Sequence, residues 1–138
     1  MSEKQDAAYG YHVWMEITSR YPDFEKHGGL IPVIVQDEDS GDVYPILYTM
    51  ESELKETQRT LMVVYYSIYS KTKIDGVLRD GTVPIIKHIF VDSMGGSLLY
   101  LISQGKAKNP ERKPVCLVPK CVLDLVNRLK KRIRSKQN

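Results

Sequence analysis

The chain has 138 residues, of which 42% are hydrophobic and 27% charged, with a net charge of +3. That length suits one domain with a sizeable core, and the composition is ordinary for a globular protein. No apolar run approaches the ~20 residues that span a bilayer, and the polar opening Met1-Ser2-Glu3-Lys4 lacks the apolar core of a secretory signal, so a cytoplasmic protein with no membrane association is expected.

Taken in order, residues 7–21 carry Tyr11, Trp14, Met15, Thr18 and Tyr21 at helical spacing, which predicts an N-terminal helix ended by Pro22. This helical extension covers 1–27. Gly28-Gly29 turns the chain into Ile31–Gln36, a β-branched strand. Asp37 to Asp42 is an acidic turn; a calcium loop is excluded because Tyr48 stands where the closing glutamate belongs. Val43–Thr49 is a second strand, with Pro45 marking an edge or bulge. Glu51–Thr60 is a short helix with early acids. Leu61–Ser70, rich in valine and tyrosine, is the strongest strand signal, and 71–76 reads as a polar connection. Arg79-Asp80-Gly81 is a hairpin turn. Strands follow over 82–91 and 97–104, separated by the turn at 92–96, and 115–118 is a last short strand. Pro119 opens a C-terminal helix with an apolar face of Val122, Leu125, Val126, Leu129 and Ile133; its simplest reading is a helix docked on the body with its cations in water. The expected fold is α+β, an antiparallel, strand-rich domain with a helix at each end, its core within 28–118 and a basic helix over 119–138.

Two cysteines, Cys116 and Cys121, make no disulfide framework, and their spacing is not that of a Cys-x-x-Cys zinc knuckle, so free thiols are expected. Charge is uneven. Residues 120–138 hold seven basic side chains and one acid, giving that helix +6 and leaving the body at −3. Such a basic face offers a surface to nucleic acid, phosphate groups or an acidic partner.

The segment Gly29-Leu30-Ile31-Pro32-Val33-Ile34-Val35-Gln36-Asp37, the acidic turn with Gly41, Tyr48, Leu54 with Thr57, and Tyr65-Tyr66-Ser67 together resemble the start of the phosphoribosyl-AMP cyclohydrolase family. The match is close over about forty residues and follows in strand order to about residue 104. The resemblance implies a homodimer, or a higher homo-oligomer, with sites at the subunit interface. It also implies zinc held by cysteines and magnesium held by aspartates, which open the adenine ring of phosphoribosyl-AMP with water.

The motifs of that chemistry are mostly missing. Asp92-Ser93-Met94-Gly95-Gly96 stands where the family has Asp-Cys-Asp-Gly-Asp, so only Asp92 and Gly95 match. Magnesium requires oxygen ligands, and Met94 and Gly96 supply none; Ser93 is a poor substitute for a zinc thiolate. The distal Cys-His-Thr-Gly and Ser-Cys segment has no counterpart beyond Cys116, and Val77 to Thr82 replaces the Trp-x-Lys-Gly-Glu stretch. Without zinc, the pKa of water is not lowered from about 15.7 to about 7 and no hydroxide forms at neutral pH. His12, His27 and His88 are scattered and read as packed or surface residues. No catalytic residue, metal ligand or cofactor is therefore expected, and an enzyme is the less favoured reading. The favoured one is a non-catalytic homologue that binds an adenine or ADP-ribose-like nucleotide, one use being to sequester a signalling nucleotide. The candidate ligand-binding residues are Tyr65, Ser67, Tyr69, Ser70, Lys71, Lys73, Arg79, Thr82 and Asp92. The alternatives are a divergent active cyclohydrolase or related metal-dependent nucleotide hydrolase, and a scaffold or nucleic-acid adaptor working through the basic C-terminal helix.

Overall fold

A computed structural model describes residues 12–78, 81–103 and 117–137. Its centre is β2 (Ile31–Asp37), in which Ile31, Val33, Val35 and Asp37 are buried and the residues between them half-buried. That period of two places one face of the strand on the core. Beside it runs β7 (Leu98–Ser103), with Leu98, Tyr100 and Ile102 buried on the same face. The remaining strands of this sheet are β1 (Trp14–Glu16), β3 (Leu47–Thr49) and β6 (Ile85–Asp92), in the order β1-β6-β7-β2-β3. A second sheet, β4-β5-β8, consists of Val64–Ser67, Thr72–Leu78 and Leu117–Pro119. Two helices complete the domain, α1 (Glu51–Thr60) and α2 (Lys120–Gln137).

One hydrophobic cluster joins these parts. Ile31, Val33 and Val35 meet Ile86, Ile89, Val91, Leu98, Tyr100 and Ile102 from the large sheet, Leu54 from α1, and Val63 and Leu78 from the ends of the small sheet. In β6, Ile86 is in even phase while Ile89 and Val91 are odd. A register shift between Ile86 and His88 reconciles them, because one extra residue moves the following side chains to the opposite face. Helix α1 is tied down by Thr57, whose hydroxyl bonds both the amide and the carbonyl of Val64 at 3.1 Å.

The structure is α+β and strand-rich, and several of the expected elements are corrected. The N-terminal helix is not seen where it can be checked: Trp14–Glu16 is a strand, pairing Trp14 with Asp92, Met15 with Val91 and Glu16 with Phe90. Val13 to Ile17 is aromatic and β-branched enough to serve either way, and the open edge of β6 decides. Residues 7–11 of that expected helix lie outside the described residues. The sheet is not wholly antiparallel, since β2 and β7 pair in parallel. The strand expected over 61–70 is shorter, because Leu61 caps α1 in the left-handed region at φ 59°. The polar connection at 71–76 is instead most of β5, whose residues pair with β4 across a tight turn.

The second expected strand is also interrupted. Val43 makes an isolated bridge to Gln36, and pairing resumes only at Leu47, as the missing amide of Pro45 allows. Helix α2 begins directly after Pro119 and leaves the side chains of Leu125, Leu129 and Ile133 exposed. The apolar stripe expected to dock on the body is open to solvent at those three positions.

Candidate functional site

At the end of β6 the chain makes the loop 92–96 before entering β7. Asp92 organises it. One carboxylate oxygen accepts the Met94 amide at 2.7 Å and the Gly96 amide at 3.5 Å, and the other accepts the Ser97 hydroxyl. His12 Nδ1 lies 3.9 Å away. Burial pushes the Asp92 carboxyl up, but the Ser97, Met94 and Gly96 hydrogen bonds and His12 outweigh it and hold the group below its ordinary value. The loop is pinned to the N-terminal segment by Ser93 N donating to Val13 O at 2.8 Å and by Asp23 N donating to Gly95 O at 2.9 Å.

Two glycines let other side chains come close to this loop. A Cβ on Gly95 would stand 2.9 Å from Arg20 Nη2, and one on Gly96 would stand 2.8 Å from His27 Cε1. Arg20 is delivered by the turn after β1, in which the amides of Ser19 and Arg20 both donate to Glu16 O. His27 is delivered by the turn at 24–29, which ends in Gly28 and Gly29 at φ 71° and 83°, a region closed to most side chains. Between these turns, Tyr21 is hydrogen-bonded to Glu51, and burial followed by that bond pushes its phenol up to about 12. Nothing in the sequence marks Arg20, and His27 is there one of three scattered histidines. Neither sits in a motif, and only the turns on either side of Tyr21 bring them to Gly95 and Gly96.

The other expected ligand-binding residues lie on the small sheet and its turns. Tyr65 and Ser67 are on β4, opposite Ile74 and Thr72 of β5. Tyr65 packs on the hydrophobic core, and its ring covers Gly76, where a Cβ would be 3.3 Å from Tyr65 Cε1. Tyr69, Ser70 and Lys71 form the hairpin turn; Tyr69 is 92% exposed and Lys71 takes φ 55°. The Ser70 amide donates to Ser67 Oγ at 3.2 Å, and the Ser70 and Thr72 hydroxyls are 2.8 Å apart. Lys73 shares a pair with Tyr66, and its Nζ is 2.8 Å from Glu56 Oε2 of α1. The Glu56 carboxylate raises the Lys73 amine by hydrogen bond and charge. Thr82 follows the turn, its carbonyl accepting the Leu78 amide at 2.8 Å. Arg79 lies outside the described residues. The hairpin thus gathers Ser67, Ser70 and Lys71, while Lys73 is drawn to α1 and Asp92 belongs to the other sheet.

Among the described residues the donor set does not fit the family's magnesium and zinc. Asp92 has its oxygens engaged within its own loop, and Met94, Gly95 and Gly96 bring no hard ligand. Among the described residues no three His, Cys, Asp or Glu side chains stand together as metal ligands. Cys116 lies outside the described residues.

No family model matches the chain. Individual proteins do. It is 36% identical over 81 residues to the phosphoribosyl-AMP cyclohydrolase of Nitrosopumilus maritimus, a span of 58% of this chain and 74% of that protein. The cyclohydrolase of Cenarchaeum symbiosum is 35% identical over the same length and the same shares. That of Haloquadratum walsbyi is 32% identical over 99 residues, 72% of each chain.

Proposed function

The chain belongs to the phosphoribosyl-AMP cyclohydrolase family, and from that premise we propose that it binds an adenine or ADP-ribose-like nucleotide without hydrolysing it. The observation that carries this reading is the state of the 92–96 loop. Its one carboxylate caps amides and a hydroxyl of the same loop, and the side chains of Met94, Gly95 and Gly96 offer no oxygen to a metal. A scaffold in that condition keeps surfaces for recognition, while among the described residues no cluster of metal ligands is present to activate water. The hairpin supports recognition in kind: Tyr69 presents an uncovered aromatic ring beside Ser70 and Lys71, groups suited to a base and to phosphate oxygens. A homodimer and the sequestering of a signalling nucleotide belong to the same proposal.

The test is calorimetry of the full chain with phosphoribosyl-AMP and ADP-ribose, run beside a turnover assay with added zinc and magnesium. Heat of binding without product formation is expected. Turnover that depends on added metal would instead establish the divergent enzyme, and the absence of heat with every nucleotide would sink the binding reading.

A second reading is favoured by one specific observation. Helix α2 exposes Lys130, Lys131 and Arg134 alongside Leu125 and Leu129. Five or six such cations on a nucleic acid give an affinity that falls steeply with salt. A gel shift with RNA and DNA at rising ionic strength checks it, and no shift at low salt would remove it.

A further inference from the structure

We propose that Arg20 and His27, gathered over the backbone of Gly95 and Gly96, form a phosphate-binding site; the inference rests on the nucleotide reading and names which end of the ligand this loop takes. The first observation is the space itself. Neither glycine has a side chain, and a Cβ at either one would displace a group, Arg20 Nη2 at 2.9 Å or His27 Cε1 at 2.8 Å. The loop is therefore built so that a guanidinium and an imidazole can lie against it.

The second observation is a buried donor on Arg20 that has no acceptor. Its Nε is buried and makes no hydrogen bond, and among the described residues no carboxylate is within ion-pair distance of its guanidinium. A buried charged donor left unpaired is costly, and an arriving oxyanion removes that cost. The acids nearby do not serve. Asp92 accepts from Met94, Gly96 and Ser97, and Asp23 accepts the Lys26 amide at 3.1 Å.

The third is chemical fit. A guanidinium presents parallel N–H donors that match two oxygens of one phosphate, and an imidazole N–H can reach a further oxygen. His27 is exposed and Arg20 half-buried, so the histidine is the more open of the two to an arriving ligand. The shared chemistry is a phosphoryl group, either the terminal phosphate of a nucleotide or free phosphate.

Titration calorimetry of the full chain with AMP, adenosine and inorganic phosphate separates these sources. AMP is expected to bind at least about tenfold tighter than adenosine, and phosphate to compete with AMP. Two variants locate the site. Arg20→Gln removes the guanidinium. Gly96→Ala leaves every charge in place and, because Gly96 does not need a positive φ, pushes only the exposed His27 ring aside. Each is expected to weaken AMP by about tenfold or more, with adenosine binding unchanged and the melting transition of the free chain not lowered. Unaltered AMP affinity in both variants overturns the site, as does a wild-type chain that binds neither AMP nor phosphate. Adenosine binding equal to AMP throughout also overturns it while keeping the nucleotide reading. Phosphate binding that falls in both variants, with AMP no better than phosphate, supports the site and sinks the nucleotide reading.

Discussion

Asp92 shows how one side chain can be committed to structure. Three donors of its own loop converge on it, and the folded protein favours its charged form. Asp92→Ala should lower stability by about 1–3 kcal/mol, the cost of leaving these donors without their acceptor. Because its pKa is depressed on folding, the contribution is present above the unfolded value and is lost as pH falls through the folded value. Urea unfolding of the two proteins at a series of pH values checks both points: the difference should be full at neutral pH and shrink in acid. Leu61 makes the opposite case. It caps α1 at φ 59° with its side chain largely exposed, so a leucine carries left-handed strain for little packing in return. Leu61→Gly should raise stability by up to about 1 kcal/mol, read as a higher melting temperature.

At the scale of elements, the β4–β5 hairpin depends on Gly76, which by sequence alone falls in a polar connection. The Tyr65 ring lies over Gly76, and a Cβ there would meet Tyr65 Cε1 at 3.3 Å and the Val63 carbonyl at 3.4 Å. An alanine normally strengthens a strand relative to glycine, but here the ring must move and it packs on the core. Gly76→Ala should therefore destabilise the hairpin by about 1 kcal/mol and change the near-ultraviolet circular dichroism of the tyrosines. The hairpin was half legible. Val63 to Tyr66 announces β4 by composition, whereas Thr72-Lys73-Ile74-Asp75-Gly76 has the look of a loop and becomes β5 because β4 offers it a ladder. The site divides in the same way. Asp92 and Ser67 stand in recognisable segments, while Arg20 and His27 are isolated letters until two turns carry them to one loop.

Across the whole molecule, charge and packing separate. The body carries −3 and the last nineteen residues +6, and the exposed face of α2 mixes cations with Leu125, Leu129 and Ile133. Among the described residues no helix is long and apolar enough to cross a membrane. Charge reversal at Lys130, Lys131 and Arg134 should shift stability by no more than about 0.5 kcal/mol at each position, since these side chains are exposed. If α2 serves nucleic acid, the same variant should lose the salt-sensitive gel shift.

What the residues determined alone were the features with a local cause. They include the strand at 31–36, the helix at 51–60, the turn at 92–96, and the family to which the order of these elements belongs. What only the tertiary structure decided were the features with a distant cause. Trp14–Glu16 became a strand because β6 had an open edge, β2 and β7 ran in parallel, and Arg20 and His27 met over two glycines some seventy residues further along the chain. Local propensity is set by each residue and its near neighbours; pairing and approach are set by whichever partner the fold brings within reach.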